Sequence, residues 1–468
     1  MELPSISSLR CEINGNGEGS EGELESENYF FDNQMSTLTE AILLDQLHSD
    51  HQTRYNIRTS YVEPLNNGTF VELKYQRQNF SNELRREVFD RLNGTSTFND
   101  DLSNHYQRDY YFDRGAIAWH KNGEKSSLTV EGALQNSVLN GIIISENVVI
   151  KNSILRFLPR VSWRYELGTS NNIRFRYSTN VNEPSIVQLQ PYPDVSDPIN
   201  VYIGNPDLTP EYRARLNYMH YDQFSFRSLF AFLNFTYSKN KIANQSIIDD
   251  NFRQVTRPVN VDYDLNLSVN VNYSSPVSLL KSRVTIGTRA SYQQSKVFLN
   301  STENIRDRYI GNINAKIENR KKTTIDWEIS GRWSYNITQY DMNPRCQKFF
   351  NKSTHADLTY NIKKSFSIST SMDINFYSEE QFGEAMTIPI WKASISKYIL
   401  KDQKGEIKLS AFDILNQNIG ISRVNGLNFV ENSEITSLGR YLMFSFTYAI
   451  RATGSENKSG GRRMFMRG

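Results

Sequence analysis

The sequence predicts an all-β protein, an antiparallel transmembrane β-barrel. Three observations carry that prediction. Side chains alternate between apolar and polar over most of the chain, the alternation runs longer than soluble strands do, and aromatic residues punctuate one face at a spacing that fits the apolar thickness of a bilayer.

The alternation is clearest in VDYDLNLSVNVNYS, where Tyr263, Leu265, Leu267, Val269, Val271 and Tyr273 fall on one face, and Asp262, Asp264, Asn266, Ser268, Asn270 and Asn272 on the other. Successive strand side chains point to opposite sides, so one face is apolar and one polar. TIDWEISGRWSYNIT repeats the pattern with Ile325, Trp327, Ile329, Trp333, Tyr335 and Ile337 opposite Asp326, Glu328, Ser330, Arg332, Ser334 and Asn336. SFSISTSMDINFYS and RYLMFSFTYAI follow the same rule. A soluble sandwich alternates too, but soluble strands cluster at about 5–6 residues, and several of these runs extend well past that. Tyr263 and Tyr273 stand ten residues apart on one face. Ten residues span about 33 Å along a strand and project to about 25 Å when the strand is tilted, the height of the band between the aromatic girdles of a membrane barrel. A bilayer also requires every backbone polar group to be paired, which a closed sheet provides.

Composition agrees. The 468 residues carry 53 basic and 51 acidic side chains, a net charge of +2, which gives no electrostatic case for a nucleic-acid partner. Tyr and Phe number 26 each while apolar residues make up only 38%, and mean hydropathy is −0.57. The chain is therefore rich in aromatics without the aliphatic content of a large soluble core. No run approaches the roughly 18 apolar residues of a membrane helix.

Taken in order, residues 1–48 read as a loop-rich N-terminal segment that is part of an earlier barrel region, with NGNGEGSEGELESE (14–27) as a loop and MSTLTEAILLDQL (35–47) as the one convincing helical pattern, a short helix or a strand-flanking turn, since Leu38, Ile42, Leu43 and Leu47 recur at helical spacing. The barrel is expected over 49–450, and 451–468 reads as a basic, Gly-rich tail. Strands are predicted at 52–62, 69–79, 105–119, 126–139, 153–167, 172–180, 213–223, 227–241, 259–274, 281–297, 306–318, 323–339, 350–361, 364–377, 388–399, 405–415 and 440–450. Tight turns such as 361–365 and 401–406 contrast with long connections at 80–104, 181–212 and 416–439, the turn asymmetry of an outer-membrane barrel. LRREVFDRLNG (84–94), with its helix-like charge run, reads as an extracellular loop helix or a distorted strand pair and is assigned to the first long loop.

The run YSTNVNEPSIVQLQPYPDVSDPINVYIGNPDLTPEY (177–212) resembles the signature of the outer-membrane β-barrel family related to TonB-dependent receptors. The resemblance is carried by Tyr177-Ser178, Glu183-Pro184-Ser185, Gln188-Leu189, Asp197-Pro198 and Gly204-Asn205-Pro206 followed by Leu208-Thr209-Pro210-Glu211. SYVEPL (60–65), LSAFDILNQNIGISR (409–423) and RYLMFSFTY (440–448) extend it to about residues 50–450. The resemblance implies a 22-stranded barrel, of which about 16–18 strands are visible, placed in the outer membrane of a Gram-negative bacterium. Full-length members carry a secretion signal, a plug and a TonB box; none is recognised in this sequence, so the chain is expected to be the C-terminal barrel portion or a truncated copy. It also implies uptake of a large nutrient such as a metal chelate, glycan or peptide. The partners implied are outer-membrane lipid and lipopolysaccharide, a TonB-type energising complex, a surface lipoprotein and the barrel assembly machinery. The alternative is a structural or adhesive surface β-protein without transport.

No catalytic, cofactor or metal residue is assigned. GNGEG (15–19) lacks the strand, helix and Gly-Lys-Ser/Thr of a phosphate loop. His48 and His51 have no third ligand at metal-site spacing. Asp100-Asp101, Asp249-Asp250 and Glu379-Glu380 read as solvated loop carboxylates. Cys11 and Cys346 read as unpaired thiols. No Gly-x-Ser-x-Gly elbow occurs, and the chain is expected not to be an enzyme. Gly204-Asn205-Pro206 is read as a corner that aims the next strand: the prolines remove ladder donors, and Gly204 is expected to supply a positive φ.

Overall fold

In the computed structural model the described residues are 7–449, apart from 32–37, 93–94, 145–147, 195–196, 198–199, 225, 249–252, 301, 320–323, 363–364, 379–384, 401–402, 426–429 and 437. Among them are 23 strands and one short helix, and 21 of the strands belong to one sheet. Eighteen strands have eight or more residues, which agrees with the 16–18 expected. Two compact units divide the chain: Met1–Met219 with Leu233–Leu267 and Gln293–Asp307, and His220–Phe232 with Ser268–Tyr292 and Arg308–Gly468.

The first unit opens with β1 (Ser8–Phe31), β2 (Leu38–Asn66) and β3 (Thr69–Leu92), each antiparallel to the next. A short strand β4 (Thr95–Phe98) folds back on β3. The meander continues through β5 (Asn104–Asn122), β6 (Ser126–Ile143), β7 (Val148–Gly168) and β8 (Asn171–Asn182). Registers are unbroken over most of their length, because a one-residue slip would turn every apolar side chain to the wrong face. On β5 to β7 the apolar face presents Ile117, Trp119, Val130, Leu134, Leu155, Phe157 and Trp163 to the exterior, all exposed. Their alternates, Tyr106, Tyr110, Phe112, Ala116, Ala118, Ala133, Leu139 and Leu158, are buried on the other face.

Between β8 and β11 (Glu211–Phe224) lie a one-turn helix α1 (Ile186–Leu189) and two short strands, β9 (Pro193–Asp194) and β10 (Asn200–Ile203). β10 runs parallel to the start of β13 (Gln254–Val277) and antiparallel to β9. Leu189 and Leu208 from this connection complete a core with Tyr106, Tyr110, Phe112, Leu139, Ile143 and Ile242. Each leucine, almost fully buried, contributes about 1.5–3 kcal/mol. The connection is thus folded onto the sheet.

The remaining long strands are β12 (Arg227–Ile248), β14 (Ser282–Leu299), β15 (Thr302–Asn319), β16 (Ile325–Tyr340), β17 (Asn343–Ile362), β18 (Phe366–Tyr377), β19 (Met386–Ile399), β20 (Gly405–Phe412) and β23 (Tyr441–Tyr448). In the second unit β16 to β20 form an antiparallel meander, and β20 pairs with β23. Ile329, Leu358, Ile374, Trp391, Ile395, Leu409, Leu442, Phe444 and Phe446 are exposed on its apolar face. The other face is built from Ser, Thr, Asn and charged residues.

Three sequence expectations are corrected. The predicted helix at 35–47 lies in β2 from residue 38 onward, with 35–37 outside the described residues; hydrogen bonding to β1 and β3 on either side overrides a weak helical periodicity. The predicted loop at 14–27 is the body of β1. LRREVFDRL is the end of β3: Leu84 and Val88 are buried on one face while Arg85 and Glu87 pair on the other. The 416–439 connection carries a hairpin of β21 (Ile419–Asn425) and β22 (Val430–Thr436). The tail at 451–468 lies outside the described residues.

Candidate functional site

The connection from Glu183 to Glu211 is a knot of backbone and side-chain bonds, and its sequence explains its shape. Ser185 caps α1, its hydroxyl accepting from the Gln188 amide at 3.2 Å while the Gln188 side chain accepts from the Ser185 amide at 2.9 Å. This reciprocal capping box satisfies two donors that a one-turn helix would otherwise leave open. The chain then returns so closely that Gly204 lies on α1. A Cβ at Gly204 would sit 2.7 Å from the Gln190 amide nitrogen and 2.7 Å from the Val187 carbonyl, and nearer still to the Gln190 carbonyl. Gly204 is therefore required by close backbone approach. The expected positive φ is not its role: the described glycine in that region is Gly68, at φ 76.

Asn205 fixes the return. Its amide donates to the Gln188 carbonyl at 2.7 Å, its Nδ2 donates to the Pro258 carbonyl at 3.0 Å, and its Oδ1 accepts from the Asp207 amide at 3.1 Å. Asn260 of β13 then grips Thr209, accepting from its amide at 2.7 Å and donating to its carbonyl at 2.9 Å, with a second donation to the Asn240 carbonyl at 3.0 Å. Glu211, 4% exposed, ends the segment. One oxygen accepts from Lys241 at 2.7 Å and the Ile242 amide at 3.0 Å; the other accepts from Arg213 at 3.0 Å and Asn182 at 3.2 Å. A buried carboxylate so fully bonded holds β8, β11 and β12 together, and removing a partner would leave an uncompensated buried charge.

At the other end of the segment stands Glu183. Burial pushes its carboxyl up to about 7, while the nearby Tyr110 and Ser137 hydroxyls and the Arg108 guanidinium act to lower it. Arg108 donates to the Pro184 carbonyl at 2.7 Å and to Asn82 at 2.9 Å. From Ser137 a polar ladder continues along the same face, with Gln135 donating to Ser137 at 2.8 Å and Arg114 donating to Gln135 at 2.9 Å. Farther along, Lys74 meets Glu131 at 3.0 Å and Glu72 at 2.9 Å.

The second unit's polar face is open rather than knotted. A cavity of about 660 Å³ spans β13 to β19. Its charges are Lys316, which meets Glu318 at 3.2 Å and Glu328 at 3.5 Å; Asp373, which pairs with His355 at 2.6 Å and Lys392 at 3.1 Å; and Arg332, whose Nε donates to the Asn314 side-chain oxygen, Oδ1, at 3.1 Å. The lining is hydrophilic and concave, suited to holding a hydrated solute.

His48 and His51 lie three apart on β2, and strand alternation turns them to opposite faces. Gly15 to Gly19 lie in β1. Asp100 and Asp101 occupy the turn between β4 and β5, while Asp249-Asp250 and Glu379-Glu380 lie outside the described residues. Cys11 and Cys346 are both free. Among the described residues no three His, Cys, Asp or Glu side chains converge as a metal site would require. Sequence reasoning missed the capping box, although Ser185-Ile-Val-Gln188 spells it, and missed Asn260, which no local signal marks because its partner lies 51 residues away.

The profile of the outer membrane protein beta-barrel family matches residues 7–448. No curated protein matches the sequence. Among solved structures, the chain is similar to FpvA of P. aeruginosa bound to heterologous pyoverdines, at 7% identity and TM-score 0.37, covering 93% of this chain and 71% of that one. It is similar to the copper transporter OprC at 9% identity and TM-score 0.42, covering 96% and 84%. It is also similar to the FrpB iron transporter from Neisseria meningitidis at 8% identity and TM-score 0.34, covering 95% and 82%.

Proposed function

The chain belongs to the outer membrane protein beta-barrel family, and on that premise we propose that it is the barrel of an uptake receptor for a large nutrient, a metal chelate, glycan or peptide. The observation that carries the proposal is the contrast between its two faces. The exposed leucines, isoleucines and aromatics face lipid, so the alternate positions, with their ion pairs and the cavity of about 660 Å³ in the second unit, face the aqueous interior.

On this reading the protein works by binding and passage, with the family's TonB-type energising complex and a surface lipoprotein as partners. No covalent step is required of it. The test is nutrient-limited growth of a Gram-negative host lacking its own receptors and expressing this protein. Growth rescue by at least one of a panel of iron chelates, oligosaccharides and peptides supports uptake. Normal outer-membrane levels with no rescue across the panel, together with cell–cell or surface adhesion, would favour the structural alternative.

A further inference from the structure

We propose that the polar face of the second unit holds a carboxylate-bearing solute, with the Arg332 guanidinium as its anchor. The inference rests on the uptake reading and names a chemical class for it. Each other cation of the cavity already faces a carboxylate: Lys316 has Glu318 and Glu328, and Lys392 and His355 share Asp373. Arg332 is different. Among the described residues its bond is from Nε to the neutral amide of Asn314, at 3.1 Å. The remaining N–H groups form a planar fork, the geometry that binds a carboxylate through two parallel bonds.

The wall around this fork is recessed. Gly287 lies between Asn272 and Asn314, and a Cβ there would collide with the Asn272 side-chain oxygen, with Asn314 Nδ2 at 3.5 Å. A larger residue would fill the cavity at the point nearest the amide that orients Arg332. Opposite Arg332 in the β16–β17 register is Ser353, also lining the cavity, a small hydroxyl able to donate to the same oxyanion.

The charge along the face is graded. Strand alternation puts Arg289 on the face of Gly287 in β14, and Arg308 on the face of Asn314 in β15. The acidic residues of the same face on β15 to β18, Glu318, Asp326, Glu328, Asp357 and Asp373, all lie on the side of Arg332 toward the 319–325 connection. An anion is therefore favoured on the arginine side of the cavity and opposed on the carboxylate side, which fixes where along the wall it stops. Exposed charges act mainly at low salt, so the interaction weakens as ionic strength rises.

Citrate is the probe, titrated calorimetrically at low salt into the whole chain refolded in detergent, with heat-modifiable migration on gels confirming the folded state. Saturable binding at one site is expected, weakened about tenfold or more in Arg332→Gln, since a charge-assisted bidentate contact is lost. Arg332→Lys is expected to recover only part of the affinity, because an ammonium cannot present the fork. Arg58→Gln, in the first unit, is expected to bind as the parent does. A folded parent that does not bind citrate, or Arg332→Gln binding as well as the parent, overturns the assignment. Inorganic phosphate binding as tightly as citrate overturns the carboxylate class. None of these results touches the uptake reading, which stands or falls on growth rescue.

Discussion

Replacing Gly204 by alanine perturbs the knot at its tightest point. The new Cβ would lie 2.7 Å from two backbone atoms and nearer still to the Gln190 carbonyl oxygen, whereas ordinary contact begins at 3.4 Å, so the 187–190 turn and the Gly204 backbone must part by about 1 Å or more. Both are backbone, so no side-chain rotation relieves the clash. Overpacking of this kind costs about 1–3 kcal/mol. The separation also breaks the bond from the Asn205 amide to the Gln188 carbonyl, now 2.7 Å, at about 1–3 kcal/mol for a buried pair. A local destabilisation of about 3 kcal/mol raises the open fraction of this segment by about two orders of magnitude. Hydrogen exchange by mass spectrometry on peptides covering 186–210 reads it directly, with Gly311→Ala as control because a Cβ there meets nothing within 4 Å. Gly204→Val is expected to be worse and to lower the folded, outer-membrane fraction. Unchanged protection of 186–210 in Gly204→Ala would refute the close-approach account, and so would normal membrane levels of Gly204→Val with uptake lost.

Other perturbations separate the remaining parts. Asn260→Ala removes the grip on Thr209 and is expected to raise exchange across 204–211 by about tenfold or more, since buried partners are left unpaired; exchange confined to the mutated strand would contradict it. Ser185→Ala is expected to cost about 1 kcal/mol through loss of the capping box, seen as faster exchange in α1 alone. Glu183 gives a pH dependence whose sign is opposite to that of an ion-paired carboxylate. Its folded value of about 7 lies above the ordinary 4.5, so the folded state holds the proton longer than the unfolded one. Stability of the knot is full below pH 4.5 and falls as pH rises to about 7; Glu183→Gln should flatten urea-unfolding midpoints across that window, and an unchanged slope would count against it. Leu134→Arg, on the exposed apolar face between β5 and β7, is expected to cost about 2–4 kcal/mol in a bilayer and to reduce outer-membrane levels; wild-type levels would argue against that face meeting lipid.

Much of the fold was legible because the two-residue period is dictated by the strand itself. Wherever an apolar stripe meets lipid, as from Tyr263 to Tyr273, the alternation is visible without any tertiary information. It fails where strands run on past that stripe. In β1 the stretch NGNGEGSEGELESE holds a single apolar residue, Leu24, with nothing to alternate with, so only pairing with β2 makes it a strand. In β3 the inward Leu84 and Val88 are spaced four apart and flanked by charges, which reads equally as helix or strand. The helical spacing of Ile42, Leu43 and Leu47 misled for the same reason: a short apolar run has no unique period, and the ladder on both sides of β2 decides. Gly204-Asn205-Pro206 was correctly placed as a structural corner, but its physical basis was not readable. A glycine needed for φ and a glycine needed for close approach look identical in sequence, and only the position of α1 tells them apart.

The same limit explains why no binding residue was assigned from sequence and why one can now be proposed. Along β16, Glu328 and Arg332 occupy equivalent positions, two turns of the alternation apart on one polar face. Nothing local distinguishes a charge that is already neutralised from one that is free to bind. The distinction is made by neighbours on other strands: Lys316 of β15 reaches Glu328, whereas Asn314 of β15 reaches Arg332. In an interior built of alternating polar positions, charge alone is common and uninformative, and specificity resides in which cation lacks a carboxylate across the strand boundary. That makes a cross-strand exchange the sharpest perturbation of the wall. Asn314→Asp would place a carboxylate against Arg332, occupy the fork from within the protein, and abolish citrate binding while leaving the arginine itself in place. Citrate binding that survives Asn314→Asp would mean that the fork is not the anchor.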